Sequence, residues 1–104
     1  MKGLMIEYTI KETEIYTHWF NSLKDKNAKV HIGKRIDRIK DGNFWDYKLL
    51  KGIRNIFELR IDYGSGYRVY FKKRGKEIII LLCGGVKKSQ AQDIEKAKMI
   101  ASEV

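Results

Sequence analysis

Phe57-Glu58-Leu59-Arg60-Ile61-Asp62-Tyr63, then Gly64-Ser65-Gly66, then Tyr67-Arg68-Val69-Tyr70-Phe71-Lys72 is the stretch on which the fold turns. On both sides of the glycine-rich turn, apolar and polar residues alternate with period two, the pattern of strands with one face against a core. Phe57, Leu59, Ile61 and Tyr63 form the apolar side of the first strand, and Tyr67, Val69 and Phe71 that of the second. The three-residue loop Gly64-Ser65-Gly66 predicts a hairpin with Tyr63 opposite Tyr67, which pairs Asp62 with Arg68, Arg60 with Tyr70 and Glu58 with Lys72. In that register the polar face has two readings. It is a solvated row of cross-strand ion pairs, or Arg60, Arg68 and Tyr70 are two rigid cations and an aromatic able to hold a phosphate and stack a base.

Downstream, Ile78-Ile79-Ile80-Leu81-Leu82-Cys83 is apolar without alternation, as expected of a central strand covered on both faces, and Gly84-Gly85 is expected to break it. Ser89 with Gln92 matches a capping box opening a last helix with the stripe Ile94, Ala97, Ala101 and Val104. Upstream, Ile15, Trp19 and Leu23 recur at helical spacing and predict a helix from Thr13 to Lys24. A second helix follows with the stripe Ala28, Ile32, Ile36 and Ile39, a start capped by Asp25 or Asn27, and a stop at Asp41-Gly42-Asn43. Ile6-Glu7-Tyr8-Thr9-Ile10 alternates as a short opening strand, and a linker with Phe44, Trp45 and Tyr47 joins the helices to the hairpin. The expected fold is α+β in the order β-α-α-β-β-β-α, a twisted, mainly antiparallel sheet packed on an N-terminal helical hairpin. At 104 residues it is expected to be a single domain over residues 1–104.

A chain 43% hydrophobic and 12% aromatic, with no proline, can fill a core, which excludes disordered and collagen-like classes. A lone cysteine, Cys83, excludes an internal disulfide framework, and no Cys/His cluster has zinc-ligand spacing, so no metal or other cofactor is expected. No apolar run reaches the ~20 residues of a membrane span and the opening segment is too short for a secretory signal, which predicts a cytosolic protein with no membrane partner. The balance of 22 basic to 13 acidic residues gives a net charge of +9. From Lys48 to Lys88 there are 11 basic residues against 3 acidic ones, so the excess sits in the strand region, where it favours a polyanionic partner.

Gly84-Gly85-Val86-Lys87-Lys88-Ser89 leads a strand through two lysines into a helix start, where free amides and the helix dipole favour a phosphate. His18 and His31 fall in the helical hairpin, away from the basic region, and read as surface residues. Cys83, ending a buried strand, reads as a small core residue and not a nucleophile. Trp19 and Phe20 read as core, whereas Trp45 stays open as a stacking residue.

Lys48-Leu49-Leu50-Lys51-Gly52, Tyr63-Gly64-Ser65-Gly66-Tyr67-Arg68-Val69-Tyr70-Phe71 and Leu81-Leu82-Cys83-Gly84-Gly85 followed by Lys87-Lys88-Ser89-Gln90 together resemble the RelE/ParE superfamily, and more narrowly the HigB-like addiction-module killer proteins, over residues 5–100. The resemblance implies the toxin of a type II toxin-antitoxin system in the bacterial cytoplasm. Such a toxin enters the 30S A site and cleaves messenger RNA without metal, and a cognate HigA-like helix-turn-helix antitoxin neutralises it. Operator DNA is reached only indirectly, through the antitoxin. Cleavage by a ribose 2′-hydroxyl needs a proton acceptor, charge stabilisation at phosphorus and a proton donor for the leaving oxygen.

By the resemblance, Arg68 matches the strand arginine that stabilises the transition state. Lys87 falls near a basic position that is arginine in RelE, as phosphate ligand or proton donor, with Lys88 beside it, and Arg60 lies where RelE carries lysines. The last-helix tyrosine of RelE aligns with Asp93 or its neighbours, so Asp93 is either the proton acceptor or a complement to its helix N-terminus. Lys48, Lys51, Arg54, Tyr70, Lys72, Lys73, Arg74 and Gln90 complete the expected RNA and ribosome surface. The superfamily also contains ParE-type gyrase inhibitors that cut nothing, and a non-catalytic nucleic-acid-binding module is a further alternative; fold alone does not separate them.

Overall fold

The computed structural model describes residues 7–104, so the Ile6 end of the expected opening strand lies outside the described residues. Within them the order is β1 (Thr9–Glu12), α1 (Glu14–Ser22), α2 (Lys26–Lys40), β2 (Tyr47–Leu49), β3 (Ile56–Ile61), β4 (Tyr67–Arg74), β5 (Ile78–Val86) and α3 (Gln90–Ala101), with a 3-10 turn at Lys87–Ser89 before α3. The five strands form one sheet in the order β1-β5-β4-β3-β2, antiparallel except for the β1–β5 pair. The α+β class and the helical hairpin are as expected. β1 begins later than predicted, and β2, a three-residue edge strand exposed along its length, is additional.

Local chemistry sets the helix starts. Thr13 Oγ1 accepts the Tyr16 amide at 3.0 Å and caps α1, while its hydroxyl donates to the Leu82 carbonyl at 2.7 Å and ties that cap to the sheet. Asp25 caps α2 by accepting from the amides of Asn27 and Ala28. The hairpin packs Tyr16, Ile32 and Ile39 against Leu59, Ile61, Val69, Phe71, Ile79 and Leu81 on one face of the sheet. On the other face, Ala97, Ile100 and Ala101 of α3 cover Leu50, Ile56, Ile80, Leu82 and Cys83. The β4–β5 register steps at Tyr70/Phe71 so that Leu82 is an extra residue on β5, and Leu82 and Cys83 both face α3.

Two expectations fail here. β5 continues through Gly84 and Gly85 to Val86, because those glycines serve close approach and not termination. A Cβ on Gly84 would run into the Trp19 indole, and one on Gly85 into the Asp93 carboxylate. The β3–β4 register is also displaced by two residues, with Ile61 opposite Tyr67, Arg60 opposite Arg68, Leu59 opposite Val69 and Glu58 opposite Tyr70. β3 ends at Ile61, and Asp62 to Gly66 form the loop, closed by the Gly66 amide donating to the Tyr63 carbonyl and by positive φ at Gly64 and Gly66. A shift of two preserves which side chains share a face, so the apolar pattern is satisfied by either register.

Candidate active site

The shifted register places Arg60 and Arg68 side by side at the loop end of the hairpin, on the sheet face that α3 covers further along. The 3-10 turn brings Lys87 to the same place, because its amide donates to the Gly66 carbonyl at 2.9 Å. Gly66 has φ +84, and a Cβ there would press on the Lys87 side chain, so glycine serves both the turn and the approach. The result is a polar cleft of about 450 Å³ lined by Arg60, Arg68 and Lys87, the Gly64-Ser65-Gly66 turn, and the carboxylates of Asp46 and Asp62.

Each arginine is supported differently. Arg60 is exposed, and its Nη2 lies 2.9 Å and its Nε 3.1 Å from Asp46 Oδ1. Asp46 sits at φ 48, a conformation Asp tolerates better than most residues, and its carbonyl accepts the Arg60 amide. Arg35, buried on α2, holds this segment in place by donating to the carbonyls of Arg60, Phe44 and Trp45. Burial lowers the Arg35 pKa, Asp46 opposes that, and Arg38 adds to it. Arg68 has a side chain only 11% exposed, and its Nε lies 3.9 Å from Oε1 of Glu58, which is wholly buried. Glu58 Oε2 accepts from Tyr70 Oη at 3.1 Å and from Gln90 Nε2 at 2.7 Å. Arg60 and Lys87 therefore face the opening, and Arg68 closes the back of the cleft over a buried anion.

Several expected site residues lie elsewhere. Tyr70 is fully buried, so its ring has no face to offer a base, and Gln90 is turned inward onto Glu58. Both corrections have one cause: α3 covers the face that the alternation of polar residues presents as solvated. The expected Asp62–Arg68 and Glu58–Lys72 pairs do not form, and Lys72 Nζ instead donates to the carbonyls of Ala101 and Val104 at the end of α3. Lys73 lies over the rings of Phe44 and Phe57, and Arg74 stands at the far end of β4, about 20 Å from Arg68 at strand rise. Lys48, Lys51 and Arg54 are exposed on β2 and the turn after it, outside the cleft lining.

Lys88 points away from the cleft, into a shallow surface hollow with Val86 and Gln92. Asp93 is also outside the lining; Ser89 Oγ donates to its Oδ2 at 2.5 Å in place of the expected box with Gln92. Burial, with Asp93 adding and Lys96 opposing, pushes the Cys83 thiol up to about 12, which leaves it protonated and unreactive. Among the described residues no group of three His, Cys, Asp or Glu side chains is placed to hold a metal ion, and no helix is long and apolar enough to cross a membrane.

Sequence reasoning missed three contributors. Asp46 lay in a segment read as linker. Arg35 sits three residues from Ile32 and four from Ile39, so the helical phase that identified the stripe also marked it for burial. Glu58 alternates with the polar face, where pairing with Lys72 on a solvated surface is one of two readings, and only the α3 packing shows it to be interior.

Comparison with known proteins places the chain beside a family, a relative and a solved structure. The model of the family described as phage-derived protein Gp49-like matches residues 18–103. An uncharacterized protein of Haemophilus influenzae is 47% identical over 95 residues, covering 91% of this chain and 94% of that protein. Among solved structures, a double arginine-to-alanine mutant of the E. coli toxin RelE in the free state superposes with a TM-score of 0.72 at 13% identity, covering 90% of this chain and 96% of that one.

Proposed function

The chain belongs to the phage-derived Gp49-like family and has the fold of RelE, and from that premise we propose that it is the toxin of a type II toxin-antitoxin module, a messenger RNA endonuclease that works on the bacterial ribosome. The observation that carries the reading is the convergence of Arg60, Arg68 and Lys87 on one open polar cleft. Three cations from three elements, two of them on the rigid sheet, fit the crowded anionic phosphorus of RNA transesterification.

In this mechanism the 2′-oxygen attacks the adjacent phosphorus as its proton passes to solvent water in the open cleft. The bond from phosphorus to the 5′-oxygen breaks, and that oxygen takes up a proton, giving a cyclic phosphate and a free 5′-hydroxyl. Arg68 neutralises the non-bridging oxygens from the back of the cleft. Lys87, exposed at its mouth, supplies the leaving-group proton, and Arg60 with Asp46 orients the chain on the 2′ side. A HigA-like helix-turn-helix antitoxin is the cognate partner. The HigB-like assignment and the 30S A site as the place of action belong to the same proposal.

The test adds purified protein to ribosomes stalled on a defined messenger and maps cuts by primer extension, with messenger alone as control. A ribosome-dependent cut in the A-site codon is the expected result. Growth arrest without a cut would reject the nuclease reading and favour a gyrase-type inhibitor.

A further inference from the structure

Glu58 is the one wholly buried carboxylate among the described residues, and its surroundings are uneven. Oε2 accepts two neutral donors, Tyr70 Oη and Gln90 Nε2, while Oε1 has no hydrogen-bond partner. The buried Nε of Arg68 also has none, and the two orphaned atoms face each other at 3.9 Å. An isolated buried carboxylate is strongly disfavoured, so a charge at this position requires the cation beside it. A movement of about 1 Å would close the pair to a charge-assisted hydrogen bond. The rest of the guanidinium borders the cleft, with Nη1 3.4 Å from the Tyr67 carbonyl.

We propose that Glu58 is a positioning residue for Arg68: from inside the protein it anchors the Nε edge of the guanidinium and thereby keeps the terminal nitrogens turned toward an RNA phosphate in the cleft. The inference rests on the nuclease reading for its consequence, and on the Glu58–Arg68 geometry alone for its cause. Tyr70 and Gln90 serve the same end by fixing the carboxylate, which links the N-terminus of α3 to the orientation of a cleft arginine on β4.

Two measurements test it. In nitrogen-15 spectra of the protein, the Nε–Hε peak of Arg68, assigned by its loss in Arg68→Lys, is expected to be sharp and protected from exchange, and to shift or broaden in Glu58→Gln. An averaged, rapidly exchanging peak in the wild type overturns the proposal even if the variant fails to fold. In the stalled-ribosome assay, Glu58→Gln is expected to lower the cleavage rate at saturating protein about tenfold, yet to cause no further loss once Arg68 is already alanine. Equal loss in both backgrounds, or a shifted peak with unchanged cleavage, refutes the positioning role. If the wild type cuts nothing, the nuclease reading fails and the spectra still decide whether Glu58 anchors Arg68.

Discussion

Arg60 stands directly opposite Arg68 across the β3–β4 ladder. Like charges in that position oppose sheet pairing, and both are retained here in the lining of one cleft. Asp46 offsets the exposed member at 2.9 Å and Glu58 stands behind the buried one at 3.9 Å. Such a pair has a physical rationale when a third, anionic partner is to be held between and above them, and Lys87 completes the ring of cations.

Alanine substitutions should separate cleft from periphery. Removing one preorganised charge donor from a phosphoryl transition state costs about 10² to 10³ in rate. Arg68→Ala and Lys87→Ala should each lose that much in the stalled-ribosome assay. Lys88→Ala and Arg74→Ala, which remove cations outside the lining, should stay within a few-fold of wild type. Equal losses at Lys87 and Lys88 would place the reacting phosphate somewhere other than this cleft.

Salt should report the same three cations. Binding to single-stranded RNA that neutralises Z phosphates weakens with a slope of about −0.7Z in log salt, so the cleft should contribute about −2. Fluorescence anisotropy of a short labelled RNA at several salt concentrations measures the total slope for wild type and for the Arg60→Ala, Arg68→Ala, Lys87→Ala triple variant. Their difference should be close to that value; no difference would show that the outlying lysines carry the binding.

Much of the fold was legible because local patterns fix faces and caps. Thr13 and Asp25 start the helices where their spacing to the first apolar residues demands, and the unbroken apolar run is interior from Ile79 to Cys83. Pattern does not fix register, since Glu58 keeps its face whether it meets Lys72 or Tyr70. Nor does it show what covers a face. Glu58, Tyr70 and Gln90 are 32 residues apart at the extremes, and only packing of α3 turns two strand residues that alternate as surface into an interior network. β2 escaped notice because Tyr47, Lys48 and Leu49 are all exposed and give no periodic signal. The cleft cations Arg60, Arg68 and Lys87 follow from charge and resemblance and the burial of Arg35 from helical phase, whereas the support from Asp46 and Glu58 depends on packing that no local pattern shows.

Two glycines should respond in opposite directions to alanine. Gly33 lies within α2 with nothing near its missing side chain, so Gly33→Ala should stabilise by about 0.5 to 1 kcal/mol through helix propensity and reduced unfolded-chain entropy. Gly84→Ala drives a methyl group into the Trp19 ring and should destabilise by roughly 1 to 3 kcal/mol or more. Urea unfolding of both variants checks the pair. A neutral Gly84→Ala would mean that α1 does not pack against β5 as described.

Alkaline pH should weaken the fold through groups kept protonated by burial. Cys83 is raised from 9.0 to about 12, chiefly by burial and then by Asp93. Burial, then the charge of Glu58, raises Tyr70 above its ordinary range, and burial with Glu12 does the same for Tyr16. With folded values above unfolded ones, the native state binds more protons than the unfolded chain in between. The stabilisation is therefore complete below pH 9 and is lost as pH rises toward 12, by roughly 1 kcal/mol per pH unit for each group involved. Cys83 enters this window first, since the tyrosines start from 10.0. Urea midpoints at pH 8, 9, 10 and 11 should fall more steeply for wild type than for Cys83→Ala, with the separation opening between pH 9 and 10. All other titratable groups are common to both proteins, so their effect cancels in the difference. Parallel curves would show that the thiol ionises as readily in the folded protein as in the unfolded chain, and that α3 does not seal it from water.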